Sequence, residues 1–173
     1  MKKILLFFVL MIPLLLFIGC GYHFSPGGEH IDRAIRDVFV DNFENSTTEA
    51  NIENYVRNSF IDQISRGSRF KIAAGKQLCD AVLSGIVTRI YTSHVSYAST
   101  DVAKEDRVTM IMKISFEEIK TGNVIWASES FTGQEVYTVS SNTTTTERNK
   151  KAAIRKLSDE MAEKAYRSIM SGF

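Results

Sequence analysis

The chain predicts an α+β fold of two layers, with two amphipathic helices packed on one face of a mostly antiparallel sheet of about four strands. Three observations carry that expectation. Ile52, Val56, Phe60 and Ile64 recur every four residues, the stripe of a helix with one buried face. Ile154, Leu157, Met161, Ala165 and Ile169 make a second such stripe. Between them, Arg107 to Glu117 alternates: Val108, Met110, Met112, Ile114 and Phe116 on one side, and Arg107, Thr109, Lys113, Ser115 and Glu117 on the other, with Ile111 the exception. That is the pattern of a half-buried antiparallel strand.

The elements follow in order. Lys2 and Lys3 lead into an apolar run from Ile4 to Ile18, closed by Gly19, Cys20 and Gly21. A basic end, a short apolar stretch and a small residue before the break are the parts of a secretory signal. The cysteine directly after makes it a lipoprotein signal, in which the Cys20 thiol takes the diacylglyceryl group and becomes the new N-terminus. Phe17 stands where such signals usually carry leucine. A retained anchor and a non-lipidated signal are the alternatives, but Ile4 to Ile18 is 15 residues and contains Pro13, whereas a spanning helix needs about 20 apolar residues. Gly21 is not the aspartate that holds enteric lipoproteins in the inner membrane, so outer-membrane delivery on the periplasmic face is expected. The domain reading is residues 1–19 signal peptide, 20–35 lipidated tether and 36–173 a single domain.

Asp37 to Phe43 reads as a first strand. Ser46 with Glu49 fits a capping box opening the first helix, and Gly67 is placed to close it in the left-handed region. Phe70 to Ala73 is a short strand. Ala81 to about Val95 is a long β-rich run, apolar on both faces at first and alternating afterwards. Ser96 to Asp106 is a polar loop holding Tyr97, Asp101, Lys104 and Glu105. Thr121-Gly122-Asn123 makes a hairpin turn into Val124-Ile125-Trp126, a strand reaching about Tyr137. Thr144 with Glu147 is a second capping signal. Lys150, Lys151, Arg155, Lys156 and Lys164 mark the wet face of the last helix, interleaved with Asp159, Glu160 and Glu163.

Composition narrows the function classes. The chain has 21 Lys and Arg against 20 Asp and Glu; loss of Lys2 and Lys3 with the signal leaves 19 against 20, formally −1. Such a balance gives no global field for nucleic acid, so an anionic ligand has to meet a local basic patch. With Cys20 acylated, Cys79 has no disulfide partner, and its apolar surroundings predict a small buried side chain. His23, His30 and His94 stand at no metal-ligand spacing. GxSxG, Walker, dinucleotide and CxxC patterns are absent, and the neighbours Glu117-Glu118 and Asp159-Glu160 point in different directions along a strand or helix. No cofactor, metal or catalytic residue is expected. Asn45-Ser46-Thr47 and Asn142-Thr143-Thr144 read as helix caps rather than glycosylation sites.

Several segments resemble one family. Gly19-Cys20-Gly21-Tyr22-His23-Phe24 is similar to the cysteine-glycine-aromatic-basic-apolar opening of the lipopolysaccharide-assembly lipoproteins, the LptE family. Val38-Phe39-Val40 with Phe43-Glu44-Asn45-Ser46-Thr47 resembles the first strand and the F-x-N-x-T start of the first helix. Cys79-Asp80-Ala81-Val82-Leu83-Ser84-Gly85 resembles an A-D-x-x-L-x-G strand start, with Cys79 in place of alanine. The alternating strand, the turn into Val124-Ile125-Trp126 and the closing helix after Thr146-Glu147-Arg148 also fit. The resemblance implies a non-catalytic plug and assembly partner in the lumen of the outer-membrane β-barrel LptD, where lipopolysaccharide crosses to the outer leaflet. It also implies contact of some members with lipid A phosphates through basic residues near loop ends. By chemistry alone the phosphate-binding candidates here are Lys104 and Arg107, beside the connecting loop, and Arg89; the alternative is that they are solvated charges. Two rival readings are a lipid- or envelope-polymer-binding lipoprotein without a barrel partner, and an envelope enzyme in which a pocket gathers His94 with acidic side chains.

Overall fold

The computed structural model describes residue 28 and residues 30–95 and 104–172. The elements are β1 (Asp37–Val40), β2 (Glu44–Asn45), α1 (Ile52–Arg66), β3 (Lys71–Ile72), a 3-10 turn (Lys76–Leu78), β4 (Ala81–Val95), β5 (Glu105–Glu118), β6 (Val124–Thr138) and α2 (Thr143–Ser171). The class is α+β, with both helices against the sheet. The sheet itself corrects the expectation of four antiparallel strands: it is mixed and six-stranded, in the order β3-β1-β4-β5-β6, with β2 also on β4. Only β4, β5 and β6 run antiparallel; β1 is parallel to β3 and β4, and β2 to β4.

The parallel part follows from the connections. Parallel neighbours need a crossover, usually a helix, and α1 supplies one between β1 and β3. The strand expected over Asp37 to Phe43 stops at Val40, and a separate strand, β2, follows at Glu44–Asn45. Val38, Phe39 and Val40 pair with Ala81, Val82 and Leu83; Glu44 and Asn45 pair further along with Ile86 and Val87. A strand of two residues carries no periodicity, which is why sequence patterning does not show β2; β3 lies within the short strand expected over Phe70 to Ala73.

The core lies between sheet and helices. Val38 and Val40 of β1, Leu83 and Val87 of β4, and Val108, Met110, Met112, Ile114 and Phe116 of β5 face Val56, Phe60 and Ile64 of α1 and Ile154, Leu157 and Met161 of α2, all buried. Both predicted helical stripes therefore face inward. Phe43 stacks on Phe60 with ring centroids 5.3 Å apart. Gly85 leaves the space that Phe43 fills: a β-carbon there would meet the Phe43 ring and the Lys113 carbonyl. Ile31 and Ile35, at the end of the stretch read as a tether, are also in the core.

The helix ends differ from the expected caps. Ser46 donates its backbone N–H to the Val87 carbonyl, 3.0 Å away, so it still belongs to the sheet and cannot open a helix. The Asn45 side chain organises the turn instead, accepting from Thr47 N at 2.9 Å and donating to Glu53 at 3.0 Å. Asn51 then enters α1 at φ 65° without a side-chain cap. Glu49 is taken by Lys150 of α2 at 2.8 Å. At the other end Gly67 is extended, φ −73°, not left-handed. It is needed for space, since a β-carbon would stand 2.8 Å from Tyr166 Cζ. α2 is capped by Asn142, which accepts from Thr145 N at 3.3 Å, rather than by Thr144. Cys79 is half-exposed, not buried, and donates to the Lys76 carbonyl at 3.2 Å; burial raises its thiol above the ordinary value.

Candidate functional site

The helices cover one face of the β4–β5–β6 sheet and leave the other to solvent or a partner. Alternation along β5 puts Arg107, Thr109, Ile111, Lys113, Ser115 and Glu117 on that uncovered face. β4 does not alternate through its whole length. Its register with β5 shifts between Val87 and Arg89, with Thr88 the extra residue of a β-bulge, its hydroxyl bonded to the Ile111 carbonyl at 3.0 Å. A bulge reverses which side chains face which way. Below it Val82, Ser84 and Ile86 face away from the helices; above it Arg89, Tyr91 and Ser93 do.

Thr88 therefore brings Arg89 onto the same face as Arg107. Arg89 pairs with Ile111, Tyr91 with Thr109 and Ser93 with Arg107, and across β5 these meet Thr132, Gln134 and Val136 of β6. Arg107 is four residues along β5 from the partner of Arg89, about 13 Å at the rise of a strand. Their side chains leave the same face from separate points along it. Lys104 is exposed at the loop end, where its carbonyl accepts from Val139 N at 2.8 Å and ties the start of β5 to the end of β6. Tyr97 and Asp101 of the expected loop, like Cys20 and His23, lie outside the described residues.

Lower on the same face is an open hollow of about 420 Å³, lined by Asp41, Glu44, Ser84, Lys113, Ser115 and Glu129 among others. Lys113 and Glu129 pair across it at 2.7 Å. Its walls carry both charge signs, and an ion pair this exposed adds little to stability.

His94 does find an acidic partner: its Nδ1 lies 2.6 Å from Asp106 Oδ1. The His94 side chain is 92% exposed, so the pair stands on the surface and not in an enclosed cleft. Asp159 accepts from Ser59 on α1 at 2.6 Å, while its neighbour Glu160 turns to Lys156. Among the described residues no group of three or more His, Cys, Asp or Glu is placed to hold a metal ion. Sequence reasoning missed Tyr91 and Val136 as members of the uncovered face. The break in alternation at Val87-Thr88 was the signal that could have found Tyr91.

Fold and face together define a two-layer α+β module that presents a broad polar sheet surface. The chain belongs to the lipopolysaccharide-assembly family, LptE, whose family model matches residues 35–169. Solved structures share the fold. A Xanthomonas campestris protein of the DUF330 family aligns over 79% of this chain and 85% of its own at 11% identity, TM-score 0.55. An uncharacterized lipoprotein B from Nitrosomonas europaea aligns over 79% and 83% at 7% identity, TM-score 0.54. No curated protein matches the chain.

Proposed function

We propose that this protein is a non-catalytic lipoprotein, held on the periplasmic face of the outer membrane by acyl chains on Cys20, that plugs and helps assemble the LptD β-barrel and supports lipopolysaccharide transport to the outer leaflet. Membership of the LptE family carries the reading. The uncovered sheet face supports it: barrel interiors are polar, and a plug needs a surface mixing charge, hydroxyl and amide groups, as Arg89, Ser93, Arg107, Thr132 and Gln134 do. Lys104, Arg107 and Arg89 are the residues proposed to meet lipopolysaccharide phosphates, through charge-assisted hydrogen bonds.

Affinity capture from native membranes in detergent, read by mass spectrometry, tests the proposal. A barrel subunit that stays with the protein supports it. A monomer carrying bound lipid or polymer, with no barrel, favours the rival binding lipoprotein.

A further inference from the structure

β4 is paired on both sides only along its first half. β1 takes Ala81 to Leu83, and β2 takes Ile86 and Val87. The chain then leaves the sheet after Ser46, whose N–H donates to the Val87 carbonyl at 3.0 Å. From Arg89 to Val95, β4 has β5 on one side and, among the described residues, no strand on the other. Residues along a strand turn their N–H and C=O groups alternately to one neighbour and the other. Val87 turns toward β2, and the extra residue Thr88 shifts the alternation by one. Arg89, Tyr91 and Ser93 therefore bond to β5, while Ile90, Thr92 and His94 turn outward. Three N–H and three C=O groups stand in a row along this free edge, repeating about every 7 Å.

Folded proteins blunt such edges with charges, proline or bulges. β6, on the other side of the sheet, is blunted in this way. It shifts register twice against β5, it carries Glu129 and Glu135, and its outward Thr138 carbonyl accepts from Asn149 Nδ2 at 2.8 Å. The edge of β4 has none of these devices. Ile90-Tyr91-Thr92-Ser93-His94-Val95 contains no Lys, Arg, Asp, Glu, Pro or Gly and is rich in β-branched and aromatic residues, which favour strands. Tyr91 to His94 are exposed. An anion would meet only the donors of this row. Donors and acceptors alternating at strand spacing are matched by another extended backbone, whose side chains would also give Tyr91, 46% exposed, a cross-strand neighbour. On the plug reading, the polypeptide surrounding the domain is the barrel subunit.

We infer that the outer edge of β4 from Ile90 to His94 accepts an extended segment of the barrel subunit as a further strand of this sheet. The inference rests on the barrel-partner reading and gives that partner a place and a mode of contact. Hydrogen exchange, read residue by residue on the full-length protein free and in the complex captured from native membranes, tests it. The Ile90, Thr92 and His94 amides are expected to exchange fast in the free protein and slowly in the complex, while those of Arg89, Tyr91 and Ser93 are protected in both. Thr92→Pro removes one outward N–H and leaves the β4–β5 bonds in place, a change that an edge strand tolerates. It should lower the barrel retained in detergent by about tenfold, the scale of one lost rung of the ladder. Thr92→Val keeps the N–H and should retain the barrel. Circular dichroism checks that each variant is folded, and if Thr92→Pro is not, the wild-type exchange decides alone. Equal exchange of the three outward amides in free and bound protein, or full barrel retention by a folded Thr92→Pro, overturns the strand addition and leaves the plug reading standing. Slow exchange of those amides in a free protein that light scattering shows to be a dimer assigns the edge to a second copy and also overturns it. Capture that brings no barrel removes the plug reading, and this inference with it.

Discussion

Asp80 and Asp37 bond to each other twice: the Asp80 N–H donates to the Asp37 carbonyl at 2.8 Å, and the Asp37 N–H donates to Asp80 Oδ2 at 3.0 Å. The same oxygen accepts from Arg36 N at 2.9 Å, and the Asp80 carbonyl accepts from Ile119. One residue thereby joins the starts of β1 and β4 to the end of β5. Backbone donation from Asp37 and then Arg36 holds its carboxyl below the usual aspartate range.

Asp80→Ala removes both side-chain acceptances and should destabilise the fold by about 1–2 kcal/mol, discounted for partial exposure. Because the folded-state value is depressed, the contribution is present above the ordinary aspartate value and disappears as pH falls through the depressed one. Denaturant unfolding at neutral and acid pH checks this: the gap between wild type and variant should narrow in acid.

Gly133 of β6 faces α2, where a β-carbon would stand 2.7 Å from Met161 Cγ and 2.8 Å from Leu157 Cδ1. Gly133→Val should overpack this contact and cost about 1–3 kcal/mol, more than the backbone entropy it recovers. A lowered thermal midpoint by circular dichroism is the expected result; an unchanged one would show that the helix yields freely.

Glu49 and Lys150 tie the start of α1 to α2 with side chains 18% and 25% exposed. Hydrogen bonding to Glu49 raises the Lys150 value above the ordinary 10.5. Lys150→Met leaves a largely buried carboxylate without its partner and should cost about 1–3 kcal/mol. The wild-type advantage is fully present below the ordinary lysine value and is lost as pH rises through the raised one. Unfolding curves at neutral and strongly alkaline pH should converge only at the latter.

Charge reversal at Lys104 and Arg107 should weaken lipopolysaccharide binding by roughly tenfold or more, the scale of losing one or two charge-assisted bonds. The fold should remain, since neither side chain belongs to the core. Binding assays on the purified complex decide it, and unaltered binding withdraws the assignment.

The long elements were legible because their patterns are long. Ile52 to Ile64, Val108 to Phe116 and Ile154 to Ile169 each repeat several times, and each repeat buries the side chains it predicts. What sequence could not supply was long-range. The two-residue strand β2 exists only because β4 lies beside it. Gly67 looked like a left-handed terminus but is a gap for Tyr166, which is distant in the chain. Glu49 looked like a local capping residue until Lys150 took its carboxylate. Charge alone marks Arg89 and Arg107 in the sequence; that they share a face depends on the single extra residue Thr88.

α2 has 29 residues and so runs about 43 Å, alongside three strands of 14 or 15 residues. A strut of that length outmeasures the ~30 Å oily layer of a membrane. Set upright with its foot on the inner side, the molecule would carry its guanidinium-bearing summit level with the far side. Cargo could then be received at its destination height by a part that never has to travel.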